Sequence, residues 1–151
     1  MHDLAESRGM PQKFQTLQTY FDEVWVKGNV EALGDLLAPD ARTRGIMGEM
    51  PFDQDDMTEL VSMVRELLGP IEVSYPVTVD QDDWLSAVVE IKSHSAINGD
   101  PVHVFNHVIA RFDGPRMIEI YSGVDSLMLF EQIGLLPDSA LAVLLGGTRL
   151  S

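Results

Sequence analysis

The 151 residues carry ten Lys and Arg against twenty-four Asp and Glu, a net charge of −14, and 45% of them are hydrophobic. A chain this acidic lacks the cationic surface that a phosphate backbone or an anionic membrane attracts, so we expect no nucleic-acid and no membrane partner. The absence of cysteine excludes disulfides, thiolate nucleophiles and Cys-based zinc sites, and the length suits a single globular domain.

The N-terminal stretch predicts a tail followed by a helix. Residues 1–10 mix charged and small side chains without a period, so we expect them to form a loose tail. From Pro11 to Gly28 apolar residues recur at helical spacing, which predicts an amphipathic helix that ends at the glycine. Its apolar stripe includes the aromatic residues Phe14, Phe21 and Trp25.

Two more helices are predicted before the pattern changes. They cover residues 30–37 and 56–68, and Gly69-Pro70 ends the second one. Between them, residues 41–47 predict a short strand that leads into a connection rich in Met and Gly over residues 47–52.

The second half of the chain changes from a helical period to alternation of polar and apolar residues. Short links rich in Asp, Asn and Gly join the alternating runs, which favours an antiparallel meander. A short helix then ends at Gly134, and residues 137–151 form a C-terminal extension with one further helical piece. The predicted strands cover residues 71–79, 84–97, 102–112 and 117–124.

Three motifs of the predicted meander resemble those of a known protein family. They are Asn106-His107, then Phe112-Asp113-Gly114, then the run from Ile118-Glu119 to Val124-Asp125 before a Leu-rich helix. Together with the order of elements, they resemble the SnoaL-like branch of the nuclear transport factor 2-like superfamily over roughly residues 11–136. This resemblance implies an α+β domain, in which a cone-shaped, curved antiparallel sheet wraps around N-terminal helices and leaves a pocket at its open end. It further implies a homodimer formed through the convex face of the sheet and a small hydrophobic organic molecule as ligand.

The resemblance also identifies where this sequence departs from enzymes of the superfamily. The acid–base cyclases carry an Asp in the final strand, at a position that the resemblance places on Ser122 here. The epoxide-hydrolase type uses an acid–Arg–acid set, whose positions fall near Lys92, His94 and Asp125. Of that set only the last carboxylate is kept.

Asp125 and His94 are the candidates for a catalytic proton transfer. An apolar pocket raises the pKa of a carboxyl group, which would suit Asp125 as a base. The same residue precedes a helix and suits an N-cap, and alternation places it opposite Ser122 unless Gly123 forms a bulge. His94 shares a strand face with Glu90 and Lys92, a pattern that fits either a proton relay or a solvated stripe.

The candidate ligand-binding residues surround one buried amide. Asn106 is the single polar residue on an otherwise apolar strand face, so its amide needs a partner, which is either a ligand oxygen or a neighbouring backbone group. The other predicted contacts are Ser122, Tyr121 and Lys92, the aromatic residues Phe14, Phe21 and Trp25, and the lid residues Met47, Met50 and Phe52.

Two functions therefore remain open. The first is a cofactor-independent, metal-free isomerase, cyclase or hydrolase, in which Asp125 or His94 moves the proton and Asn106 polarises an oxygen. The second is a ligand-binding or dimeric assembly module that has lost the catalytic acid. A charged side chain in contact with the pocket would favour the enzyme. Without a membrane-length apolar run or a signal-peptide pattern, the expected location is the cytoplasm.

Overall fold

The computed structural model describes residues 11–45, 48–51 and 54–151, so the predicted tail lies outside the described residues. Helix α1 (Pro11–Thr19) continues as π-helical turns over Tyr20–Val26, and the chain reverses at Gly28 with φ +75°. The remaining helices are the 3₁₀ turn Val30–Ala32, α2 (Leu33–Leu36), α3 (Gln54–Leu67), α4 (Ser126–Ile133) and α5 (Ala140–Leu145). Within the described ranges, each helix is too short or too polar to cross a membrane.

Six strands form one sheet in the order β2-β1-β6-β5-β4-β3. The last four follow one another as the predicted antiparallel meander. The strands are β1 (Leu37–Gly45), β2 (Gly48–Pro51), β3 (Glu72–Gln81), β4 (Trp84–His94), β5 (Pro101–Asp113) and β6 (Arg116–Val124).

The pairing of β1 adds one parallel pair to the predicted antiparallel sheet. This strand runs parallel to β6, with Arg42 opposite Glu119 and Thr43 opposite Ile120, and it forms an antiparallel pair with β2. The parallel contact joins residues far apart in the chain, and the short turns of the meander give no information about it. The α+β class is confirmed, and a curved sheet wraps around the N-terminal helices.

Breaks in register bend the sheet. One lies between Ser74 and Val77 of β3, around Pro76, whose missing N–H cannot join a hydrogen-bond ladder. It also reverses the sides of β3, because Val73 packs against the core while Val77 and Val79 are exposed. The alternation over the predicted strand 71–79, which would place these three valines on one face, is therefore broken.

The inner face of the sheet holds the core. Along β5 every even-numbered residue from Val102 to Phe112 is buried, and on β4 Leu85, Ala87 and Val89 are buried on the same side. Helix α1 and its π-helical continuation lie against this face through Leu17, Phe21 and Val24. Burying a side chain of that size contributes about 1.5–3 kcal/mol, which explains why a short, irregular helix is held in place.

Candidate functional site: an apolar cavity with one free amide

A cavity of about 130 Å³ lies between the helices and the inner face of the sheet. Helix α1 and its π-helical continuation contribute Tyr20, Phe21 and Trp25, and α3 contributes Met57, Leu60 and Val64. The sheet closes the other side with Val73, Ile91, Val104, Ile120 and Val124.

Among the described residues, no charged side chain lines this cavity. Its polar groups are neutral: the hydroxyls of Tyr20, Thr43 and Ser122, the amide of Asn106 and the indole of Trp25. Such an environment favours an uncharged, mostly apolar guest, because transferring a charged group there without a partner is costly.

Asn106 and Ser122 form the polar centre of the sheet side. The register places Asn106 opposite Val124 and Ser122 opposite Val108, so both side chains point inward from adjacent strands. The Ser122 hydroxyl donates to Asn106 Oδ1 at 3.3 Å. Asn106 is 8% exposed, and this is the one hydrogen bond of its side chain within the described ranges. Its amide NH₂ is therefore left to donate to an acceptor on a guest molecule.

The Tyr20 hydroxyl is a second polar group of the wall. Burial raises the pKa of Tyr20 to about 12, and a smaller opposite effect comes from its hydrogen bond with Trp25. The phenol therefore stays protonated throughout the physiological range and contributes no charge to the cavity.

Asp125 lies outside the cavity and caps helix α4. Its Oδ1 accepts a hydrogen bond from the Met128 backbone N–H at 3.1 Å, the geometry of an N-cap. Gly123 pairs in regular register with His107, so the bulge that would have turned Asp125 inward is absent there. The alternation of β6 therefore keeps this carboxylate exposed, and the geometry does not support the predicted role as a base.

His94 and Lys92 also lie away from the cavity. Both are exposed on the outer face of β4, because the inner face of that strand is taken by its apolar residues. Their neighbour Glu90 contacts His103 Nε2 at 2.7 Å and accepts from Ser74 Oγ at 2.9 Å. These two contacts, that with His103 foremost, lower the pKa of Glu90. Glu90 is thus paired on the outer face, and the three residues of the predicted relay lie on the side of β4 away from the cavity.

Some of the remaining residues predicted to contact a ligand line the cavity, and others lie outside it. Phe21 and Trp25 line the cavity, whereas Phe14 packs behind it, with its ring 5.1 Å from that of Tyr75. Tyr121 is exposed and donates to Glu119 Oε2 at 2.9 Å. Of the lid residues, Met47 and Phe52 lie outside the described residues, and Met50 is placed only by its backbone in β2.

Sequence reasoning missed several wall residues. Thr43 reaches the cavity because β1 pairs in parallel with β6, a long-range contact without a local signal. Tyr20 lies one position before Phe21, and the π-helical turns bring both to the same wall. The helical period of α3 gave Met57, Leu60 and Val64 as apolar, but did not distinguish cavity wall from packed core.

Comparison of the structure with solved structures identifies the fold. IdmH from Streptomyces antibioticus, a proposed polyketide cyclase, aligns with a TM-score of 0.70 at 17% identity over 82% of this chain and 99% of its own. A proposed SnoaL-like polyketide cyclase from Jannaschia sp. CCS1 aligns with a TM-score of 0.71 at 16% identity over 86% and 96%. This chain has the SnoaL-like, nuclear transport factor 2-like fold.

A third solved structure shows the same likeness. A hypothetical protein from Catenulispora acidiphila with a ketosteroid isomerase-like fold, solved in complex with trimethylamine, aligns with a TM-score of 0.67 at 16% identity over 80% of this chain and 92% of its own. No family model matches the sequence, and a search of curated proteins gives no match. At such low identities the likeness establishes the architecture, and the chemistry has to be argued from the cavity itself.

Proposed function

We propose that this protein binds a small, mostly apolar organic molecule that carries one hydrogen-bond acceptor, and that it does so without acid–base catalysis. The observation that carries the proposal is the neutral cavity wall around the free Asn106 amide. An apolar cavity of about this size accommodates a guest of one or two rings. The apolar surface gives the affinity, and the amide gives orientation.

The binding function is favoured over the enzyme for one reason. General acid–base catalysis requires a titratable group within hydrogen-bonding reach of the reacting atom. The described cavity wall offers none near neutral pH, because Tyr20 keeps its proton and Ser122 stands where the cyclases have their acid. Ser122 is instead paired with Asn106, and no base is present among the described wall residues to activate its hydroxyl.

The test uses indanone, a bicyclic ketone, and the fluorescence of Trp25. The chain has two tryptophans, and Trp84 lies away from the cavity, so Trp84→Phe leaves Trp25 as the single reporter in the wall. At typical ligand efficiencies for so small a molecule, we expect a dissociation constant on the order of 10–100 µM.

Val64→Phe provides the blocked control, because it adds a ring to the α3 wall while α3 keeps its outer residues. This variant is expected to lose the fluorescence change while it keeps the far-UV circular dichroism of the parent. Equal titration curves for the parent and Val64→Phe would show that the ketone binds elsewhere and would contradict the proposal.

We also propose that a second copy of the chain covers the outer face of the sheet. The cross-strand rows on this face bring exposed apolar side chains of β3, β5 and β6 together, and exposed apolar clusters of this kind are typical of protein interfaces. They are Val77, Val79, Phe105, Ile109 and Tyr121. An antiparallel face of this kind is self-complementary when it packs on itself about a two-fold axis through β5.

Analytical ultracentrifugation tests the dimer. We expect the parent to sediment as a dimer and Ile109→Glu to sediment as a monomer, because the new carboxylate would be buried without a partner. Ile97→Glu is the matched control, since Ile97 is also exposed but lies in the turn after β4. A monomeric parent would rule out the dimer. The cytoplasmic location expected from the sequence stays a prediction.

A further inference from the structure

A groove adjoins the apolar cavity at the end of helix α3. It has a volume of about 410 Å³ and is lined by Val26, Arg65, Leu68, Gly69, Pro70 and Ile71. Leu68 and Ile71 also line the cavity, so these two side chains border both spaces.

Arg65 is the one charged residue among the described residues of the groove wall. Its Nε donates to Trp25 O at 3.2 Å and its Nη2 donates to Val26 O at 3.1 Å. Both acceptors are backbone carbonyls, and within the described ranges the guanidinium pairs with no carboxylate. In a chain with twenty-four acidic residues, this leaves a cation whose full charge is available beside the cavity.

The local backbone holds this guanidinium in place. Gly28 follows the π-helical turns with φ +75°, and a Cβ atom at that position would lie 2.6 Å from Arg65 Nη1. Glycine therefore permits the side chain to lie against the end of the helix. The two carbonyl contacts use two of the five N–H donors that a guanidinium has, and the rest are left for a ligand. A guanidinium already held by neutral partners loses little conformational freedom when it binds an anion.

We infer that the ligand is an amphipathic anion that passes Leu68 and Ile71: its apolar part, with the acceptor that Asn106 binds, occupies the cavity, and a carboxylate at its other end binds Arg65 in the groove. The inference rests on the proposed function, because the apolar part needs the cavity, and it adds the chemical class of the ligand. A guanidinium and a carboxylate form paired, charge-assisted hydrogen bonds, which are roughly twice as strong as neutral ones.

Two probes with the same tail test the inference by calorimetry: phenylpropionate, which has a carboxylate, and phenylpropanol, which has a neutral hydroxyl. We expect the parent protein to bind the acid about 5–10-fold more tightly than the alcohol at low ionic strength, and the difference to shrink as salt is added. This comparison requires no variant, so it does not depend on the folding of any substituted chain.

Three single substitutions test whether Arg65 causes the preference for the acid over the alcohol. Arg65→Gln is expected to bring the affinity for the acid down to that for the alcohol without changing the latter, and Arg65→Lys is expected to retain part of the preference. Arg116→Gln removes the same charge from an exposed position at the start of β6 and is expected to keep the preference.

The outcomes separate the two proposals. Equal affinities of the parent for acid and alcohol, or a preference that survives in Arg65→Gln, would overturn the inference and leave the cavity as a site for neutral molecules. A parent that binds neither the two phenyl probes nor indanone would overturn the proposed function, and the inference with it.

Discussion

The Ser122 hydroxyl and the Asn106 amide oxygen lie 3.3 Å apart inside an otherwise apolar cavity. The contact fixes the orientation of the amide, because its oxygen accepts from Ser122 and its nitrogen is left as a donor. Ser122 stands at the position where the resemblance to the cyclases places an acid. The pair presents a neutral donor at that position, which suits recognition of a ligand oxygen better than removal of a proton.

Asn106→Leu is expected to weaken the binding of indanone more than that of indane, the matched hydrocarbon. The variant removes the donor and keeps a side chain of similar size. A net hydrogen bond of about 0.5–1.5 kcal/mol corresponds to a loss of roughly 2–10-fold for the ketone alone. Competition against the Trp25 fluorescence signal measures both ligands. Parallel losses for ketone and hydrocarbon would mean that Asn106 only shapes the wall.

Asp125→Ala is expected to lower the free energy of unfolding by about 0.5–2 kcal/mol, because the first turn of α4 loses its N-cap. Asp125→Asn keeps a capping oxygen but cannot act as a base, so it is expected to be nearly as stable as the parent. Urea denaturation measures both variants. Neither change should alter ligand affinity, and a large loss of binding in Asp125→Asn would return this carboxylate to the site.

Tyr75→Phe is expected to leave the free energy of unfolding unchanged or to raise it. Within the described ranges the buried Tyr75 hydroxyl has no hydrogen-bond partner, and burial together with the nearby Asp22 charge raises the pKa of this phenol. Removing an unpaired buried hydroxyl relieves a desolvation cost on the order of 1–3 kcal/mol. Tyr20→Phe is the matched control, because its hydroxyl does have a partner in Trp25.

The control variant, in contrast, is expected to be less stable than the parent. Tyr20→Phe leaves the Trp25 indole without its partner and should lower the free energy of unfolding by about 0.5–1.5 kcal/mol near neutral pH. Thermal melts of the two variants beside the parent compare the two hydroxyls directly. Equal destabilisation by both substitutions would indicate that Tyr75 also has a partner in solution.

Alkaline pH is expected to destabilise the fold through Tyr20. Its pKa is raised from 10.0 to about 12, so the folded chain keeps the phenol proton where the unfolded chain loses it. The resulting stabilisation is complete below pH 10 and falls as the pH rises towards 12, by at most about 1.4 kcal/mol per pH unit. Denaturant titrations across this range should show a shallower fall in Tyr20→Phe than in the parent. Identical slopes would contradict the burial of this group.

The strand faces were predictable where the alternation is uninterrupted. On β5 it placed Asn106 inward among apolar neighbours, and on β6 it placed Ser122 inward and Asp125 outward. The same pattern on β4 put His94 on the outer face, and the idea of a catalytic role there came from the resemblance. Local periodicity was therefore the better guide to which residues meet the cavity.

The features that could not be predicted from the sequence depend on long-range contacts and breaks in register, about which a local pattern contains no information. The break in register around Pro76 exposes Val77 and Val79, although each continues an apolar alternation. Thr43 lines the cavity only because β1 pairs with β6, a contact that joins residues about half the chain length apart. Arg65 has no signal in the sequence, because an arginine on a helix is ordinary, and only the structure shows that its partners among the described residues are backbone carbonyls.

A crystal structure grown with bromoacetophenone tests the central claim most directly, because anomalous scattering from bromine locates the ligand independently of the protein atoms. The account predicts a bromine peak between α1, α3 and the inner face of the sheet, with the carbonyl oxygen within hydrogen-bonding distance of Asn106 Nδ2. Ligand bound only on the exterior, or an interior filled by protein side chains, would contradict it.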